Sequence, residues 1–266
     1  MAEPKESSFD RVAYQFLEGY SKQVNGYIRY EIIRVNLLTT ITALKPNGSS
    51  GPKRIIDVGA GDGTDARWLA GLGHEVVAAD PSSTMIERAK AYKTPDLAEI
   101  LHGDASSALQ KYGQESFDGV LSHGVLPYME DPQKHLEELA RLVHIGGFIS
   151  LLSKGFSGTL LRYANERKFT DMRDYIKTGR YVVNRLGEDA TAYAPEQTER
   201  FLSKAGFNLI DWFGVTIITD GVEEKADEFD KSDLELLLEQ ELTLSRNSST
   251  RGMGQMLHFI AQKNTC

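Results

Sequence analysis

The clearest pattern in the chain is an alternation of short apolar runs with amphipathic segments, beginning at Arg54. Arg54-Ile-Ile-Asp-Val58 is a brief apolar run ending in Gly59-Ala-Gly-Asp-Gly63, and Thr64 to Leu72 after it is helix-compatible. Glu75-Val-Val-Ala-Ala79 is a second such run, ending at Asp80. A helix is predicted over Ser82 to Tyr92, with Ser82 placed to cap it ahead of Met85, Ile86 and Ala89. The alternation goes on to predict strands at Ala98–His102, Phe117–Ser122 and Phe148–Leu152, with helices at Ala105–Tyr112 and Pro132–Val143. Apolar runs alternating with amphipathic helices mark βαβ units around a parallel sheet. The expected core is therefore an open, doubly wound α/β fold.

Two regions fall outside the alternation. Phe9 to Leu44 reads as helices, with Ile28, Ile32, Val35 and Leu38 at helical spacing, and ends in the Pro/Gly/Ser stretch Pro46 to Pro52. Ser157 to Tyr193 reads as a helical, polar insertion. Between Arg162 and Arg185 it carries seven basic residues against Glu166, Asp171 and Asp174, with Tyr163, Phe169, Tyr175 and Tyr181 interleaved. A helix (Glu196 to Ala205), a strand (Phe207 to Val215), an acidic helix (Ser232 to Leu244) and a last strand (Met256 to Ala261) then complete the core. The run Glu223 to Glu241 is expected to be an outer, solvated face. We read the chain as a single domain over 1–266: an N-terminal helical lid at 1–50, a core at 51–153, a helical cap at 154–194 and the rest of the core at 195–266.

The loop between first strand and helix is the first candidate for chemistry. Glycines there let a ligand approach the backbone at a helix N-terminus. The spacing is Gly59-x-Gly61-x-Gly63, and Thr64 stands where a dinucleotide fingerprint needs its last glycine, which tells against NAD. Asp80 follows 21 residues after Gly59, at the end of the second strand. A carboxylate there can accept hydrogen bonds from both ribose hydroxyls of a nucleoside cofactor, or it can cap the following helix. Joined to the glycine loop at this distance, ribose binding is the favoured reading.

Composition narrows the partners. The 266 residues hold 30 basic and 38 acidic side chains, a formal charge of −8, which argues against a general DNA-coating protein. The one cysteine, Cys266, allows no intrachain disulfide and no cysteine-based zinc site, and the histidines have no metal-ligand spacing, so no metal is expected. Met1 to Asp10 lacks the apolar stretch of a signal peptide, and no apolar run approaches the roughly 18 residues of a membrane span. A cytoplasmic protein is expected.

Taken together, Ile56-Asp-Val-Gly-Ala-Gly-Asp-Gly63, Ala79-Asp80, Gly103-Asp104-Ala105, Phe117-Asp118, His123 to Leu142 and Gly146-Gly147 resemble, in order, the motifs of class I S-adenosylmethionine-dependent methyltransferases. The resemblance implies a Rossmann-like sheet of seven strands whose last, near Met256, is antiparallel. Phe9-Asp10, Gly26-Tyr-Ile-Arg29, Ser122-His123-Gly-Val-Leu126, Gly214-Val215 and Leu257-His258 extend it, over nearly the whole chain, to the tRNA carboxymethoxyuridine methyltransferases. The chain departs from that pattern at Tyr181 to Ala194, which carries Glu188 and Asp189, and at Gly254-Gln255.

By this resemblance the cofactor is S-adenosylmethionine, and its site is Arg29, Asp57, Gly59, Ala60, Gly61, Asp80, Pro81, Met85, Asp104, Ala105, Ser106 and His123. Arg29 would grip the methionine carboxylate, whereas read alone it is a solvated charge on the outer face of a helix. The acceptor would be the carboxylate of a modified wobble uridine in tRNA, which is ionised near neutral pH and needs no general base. His123 is then a binding residue, although it is also the first candidate base for a phenol or amine acceptor. Tyr163, Arg167, Arg173, Tyr175 and Arg180 are the candidate substrate residues: the tyrosines either stack bases or simply pack the insertion onto the core. The alternatives are a small-molecule or peptide methyltransferase with the insertion as lid, an NAD-dependent oxidoreductase, and a non-catalytic methyltransferase-like RNA-binding module.

Overall fold

The computed structural model describes residues 23–46, 51–92, 97–183, 188–220, 222 and 224–264. The part of the expected lid before Gln23, with Phe9 and Asp10, lies outside the described residues, as do Arg185 and Cys266. In chain order the elements are α1 (Val24–Thr40), β1 (Arg54–Val58), α2 (Thr64–Gly71), β2 (Glu75–Asp80), α3 (Ser83–Ala91), β3 (Leu97–His102), α4 (Ala105–Tyr112), β4 (Phe117–His123), α5 (Pro132–Leu142) and β5 (Val143–Lys154). They continue with α6 (Phe156–Asn165), α7 (Phe169–Thr178), β6 (Arg180–Val183), β7 (Glu188–Thr191), α8 (Pro195–Lys204), β8 (Phe207–Val215), α9 (Lys231–Arg246) and β9 (Met256–Lys263).

Seven strands form one sheet in the order β3-β2-β1-β4-β5-β9-β8. The first five are parallel, and β9 runs antiparallel to both β5 and β8. Side chains alternate across the sheet, as the period of two requires. Ile56, Val58, Val77, Ala79, Val120 and Ile149 face α4, α5 and α8, whereas Ile55, Val76, Ala78, Leu121 and Phe148 face α1 and α2. Both faces are thus buried, which is why the central strands read as unbroken apolar runs. From β1 the chain winds outward to β2 and β3, then crosses back to β4 on the other side of β1. Loops leaving β1 and β4 depart toward opposite faces, and a crevice opens between them at the carboxyl ends of the strands.

Three expectations are corrected. The stripe of α1 runs through Val24, Ile28, Ile32, Ile33 and Leu37, with Val35 and Leu38 only half-buried, because α1 packs both on the sheet and against α9. The insertion is not wholly helical: after α6 and α7, strands β6 and β7 pair as an antiparallel ribbon. Gly179, at φ +68°, ends α7 in a left-handed turn that a side chain would disfavour, and the ribbon starts directly after it. Finally, α9 is not purely an outer face. Glu241 is fully buried, and its carboxylate accepts the backbone N–H groups of Ile217, Ile218 and Thr219 at 2.9–3.0 Å and the Thr219 hydroxyl at 2.8 Å. Those N–H groups follow β8 and have no ladder partner, so the carboxylate satisfies them.

Candidate active site

The turn after β1 is held by its own backbone and by one carboxylate. Gly59, Gly61 and Gly63 all have positive φ. The Gly59 and Ala60 N–H groups donate to the Ala79 carbonyl at 2.8 and 3.0 Å. Asp80, at the end of β2, accepts the Gly61 N–H through Oδ2 at 2.8 Å and the Ser82 N–H through Oδ1 at 2.9 Å. The cap of α3 is Ser82, whose hydroxyl accepts the Met85 N–H. Asp80 therefore pins the glycine loop to the start of α3, and Ser82 supplies the helix cap.

Above this loop lies a cleft lined by Arg29, Tyr30, Asp57, Gly59, Ala60, Gly61, Asp62, Thr64, Asp65, Met85 and His123. Arg29 reaches it from α1 and is only 6% exposed, its guanidinium 5.0 Å from the centroid of the Tyr30 ring. The solvated outer-face reading of Arg29 is thus corrected: the helix turns it inward. Asp57, 2% exposed beneath the loop, has its pKa pushed well up by burial and by Asp65, Asp80 and Asp62, with Arg29 opposing. Burial also pushes the Asp65 carboxyl up, but the hydrogen bond from His123 and the nearby His123, Arg29 and Arg34 charges outweigh it and hold the pKa below the usual range.

His123 ends β4 in a buried hydrogen-bonded row. Its Nδ1 meets Asp65 Oδ2 at 2.9 Å and its Nε2 meets the Ser150 hydroxyl at 2.9 Å, while that hydroxyl also meets His258 Nε2 at 2.8 Å. A carboxylate only accepts, so His123 Nδ1 carries a proton toward Asp65, and the Ser150 hydroxyl bridges His123 Nε2 and His258 Nε2. Burial keeps His258 neutral by pushing its pKa well down. Both ring nitrogens of His123 are committed within the protein, so it offers neither to an acceptor as a base.

The structure brings Arg29, Asp57, Gly59, Ala60, Gly61, Met85 and His123 into this single cleft, with Asp80 bonded to its loop. Pro81, Asp104, Ala105 and Ser106 stand on the flank, where the Gly103 N–H donates to the Asp80 carbonyl and Asp104 caps α4 through the Ser107 N–H. Tyr30, Asp62, Thr64, Asp65, Ser150 and His258 were not anticipated as part of the site. A signal existed for Ser150, a lone hydroxyl inside an apolar run, which needs a buried partner.

The insertion residues divide. Tyr175 is 1% exposed, stacked on Phe156 at 4.8 Å and edge-on to Tyr163 at 5.5 Å, and its hydroxyl donates to the Phe156 carbonyl at 2.8 Å. Tyr163 and Tyr181 join it in a small core of the cap. Tyr175 is thus packed among other rings, while Tyr163, Tyr175, Tyr181 and Arg180 also line a cleft on the cap with Lys168. Arg167, Arg173 and Arg180 are exposed. At the departure Gly254-Gln255, Gln255 is buried and donates to the Gly158 carbonyl at 2.6 Å, fastening α6 to the core. Among the described residues no group of three or more His, Cys, Asp or Glu is placed to hold a metal, and no helix is long and apolar enough to cross a membrane.

Residues 56–151, from β1 into β5, match the family described as a methyltransferase domain. Over 97% of its length the chain is 27% identical to the tRNA 5-carboxymethoxyuridine methyltransferase of Escherichia coli (strain K12), 97% of which is covered. The chain is a class I S-adenosylmethionine-dependent methyltransferase. A ubiquinone biosynthesis O-methyltransferase of Brucella anthropi is 31% identical over 61% of this chain and 63% of its own. The fold matches that of an S-adenosylmethionine-dependent methyltransferase from Mesorhizobium loti, with a TM-score of 0.59 and 20% identity over 90% of this chain and all of that one. In this methyltransferase the matched segment holds the glycine loop, Asp80 and His123, whereas α1 with Arg29 and the α6–β7 insertion lie outside it.

Proposed function

We propose that this methyltransferase esterifies a carboxylate, that of a modified wobble uridine in tRNA. The observation that carries the reading is the locked state of His123, whose two nitrogens are bonded to Asp65 and Ser150. A carboxylate acceptor is already ionised near pH 7 and requires no proton removal, whereas a phenol or amine acceptor calls for a base. The similarity to the Escherichia coli enzyme along both full chains supports the RNA acceptor.

The cleft fits the cofactor. Arg29 offers a buried planar cation suited to the methionine carboxylate, and Asp80 sets a carboxylate at the end of β2 beside the glycine loop, the place for ribose hydroxyls. Gly59 is required by the packing of the loop, since a Cβ there would collide with the Val125 side chain. Met85 supplies an apolar wall, Asp57 lies beneath the loop, Ala60 and Gly61 present backbone, and Pro81, Asp104, Ala105 and Ser106 border the adenine side. When bound, the cofactor supplies an electrophilic methyl group on a sulfonium. The protein's part is alignment and exclusion of water, with α1 over the cleft as lid. Arg167, Arg173 and Arg180 on the exposed face of the insertion meet the RNA backbone.

The mutual packing of the cap tyrosines around one cleft favours a second reading, a small-molecule acceptor with the insertion as lid. Transfer of labelled methyl to two pools separates the readings: tRNA from cells lacking wobble methyl esters, and an extract of small molecules and peptides. Label entering tRNA and released by mild base is the expected result. Label entering only the extract contradicts the RNA acceptor and makes the insertion a lid.

A further inference from the structure

We propose that Lys154 is the anion anchor on the acceptor side of this site, its ammonium holding the carboxylate that receives the methyl group. The inference rests on the carboxylate reading above and adds to it the residue that selects for the charge.

Its placement follows from the pleat of β5. Residues two apart share a face, so Ser150, Leu152 and Lys154 point the same way. Ser150 joins the His123 row, and Leu152 packs with Val24, Ile28 and Ile32 of α1. In register, Leu152 pairs with His123, the last residue of β4. Lys154 therefore projects two residues, about 7 Å, past the edge where the cleft opens. The Tyr193 N–H donates to its carbonyl at 3.3 Å, fixing this point of the strand to the base of the cap.

The charges that meet there are Arg29 from α1, Arg162 from α6 and Asp220 from the segment after β8, while β9 presents the neutral Met256 opposite it. Around Lys154, then, two cations act against one carboxylate. Among the described residues the Lys154 ammonium makes no hydrogen bond or ion pair. Burial, with help from Arg162 and Arg29, pushes its pKa down to about 7, and Asp220 offsets this only in part. A half-buried cation with cationic neighbours is stabilised by an incoming anion more than by anything the cap supplies. Lys154 does not line the cleft that holds Arg29 and the glycine loop, but lies between that cleft and the cap. An acceptor reaching the cleft from the cap side would pass this point, which assigns Lys154 to the acceptor and Arg29 to the cofactor. Lysine is also the residue whose neutral form can act as a base, so the test has to separate charge from basicity.

The experiment compares Lys154→Met and Lys154→Arg with the unaltered protein, using S-adenosylhomocysteine titration and methyl-transfer kinetics on tRNA carrying 5-carboxymethoxyuridine. S-adenosylhomocysteine affinity within twofold in all three, with KM for tRNA raised at least tenfold in Lys154→Met and restored to within about threefold in Lys154→Arg, is the expected result. Unchanged KM in Lys154→Met alongside base-labile transfer overturns the role of Lys154 and leaves the carboxylate reading standing. Loss of cofactor-product affinity in Lys154→Met moves the residue to the cofactor side and also overturns the proposal. An Arg variant as slow in kcat as the Met variant, with KM unmoved, identifies a base instead. No base-labile transfer by the unaltered protein overturns the carboxylate reading itself, and the anchor with it.

Discussion

Asp80 binds the backbone of the loop it serves, accepting the N–H groups of Gly61 and Ser82, and this couples loop geometry to ligand affinity. Asp80→Ala removes both the anchor and the proposed ribose contact, so S-adenosylhomocysteine affinity is expected to fall at least tenfold, about 1.4 kcal/mol. Calorimetric titration checks this, and an unchanged affinity refutes the ribose role. The position of Asp80 was legible from its distance to Gly59, because the strand–loop–helix–strand unit has a fixed length. Ser150 was not, because a hydroxyl in a buried run announces a partner without naming it. Ser150→Ala leaves His123 Nε2 and His258 Nε2 without their shared partner, so a loss of about 1–3 kcal/mol is expected in urea unfolding. Full stability in that variant means that the row is not the unit described here.

Among elements, the parallel strands were readable because burial on both faces leaves apolar runs that helices punctuate, and helix α4 and strand β8 begin and end where the pattern put them. The β6–β7 ribbon escaped notice because its strands are four residues long and follow a basic helical stretch, too short for a period of two to emerge. The sequence left the tyrosines of the insertion between stacking bases and packing the insertion, because contacts among residues this far apart leave no local pattern. Tyr175→Phe tests the packing alternative: losing the bond to the Phe156 carbonyl should cost about 1 kcal/mol of stability and leave tRNA affinity within twofold. Weakened tRNA binding at unchanged stability would show that Tyr175 meets the substrate. In the turn after β1, Gly59→Ala places a methyl where Val125 sits, in a backbone of φ +80°, and should lower S-adenosylhomocysteine affinity at least tenfold in a folded protein.

At the scale of the whole molecule, two buried imidazoles make stability depend on pH. Burial pushes His135 down to about 4 and holds His258 well below its usual value, so both are neutral in the folded protein and protonated when unfolded at mildly acidic pH. The unfolded state then binds more protons between pH 6.5 and about 4, so stability falls as pH drops through that window, by about 3 kcal/mol for His135 alone. Unfolding midpoints measured across the window should decline, and His135→Leu should flatten the decline. The charge of −8, which argued against general nucleic-acid coating, is compatible with a local basic face, since Arg167, Arg173 and Arg180 are exposed on the insertion. Sheet order, switch point and glycine loop place one cleft between α1 and the ends of β1 and β4, and every reading of the acceptor depends on the cofactor lying there. The most direct measurement is calorimetric titration of S-adenosylhomocysteine into the unaltered protein and into Arg29→Ala. Binding at one site per chain, weakened at least tenfold by Arg29→Ala with the fold intact, is the predicted result. Equal affinity in the two proteins contradicts the account, because the lid helix would then take no part in holding the cofactor.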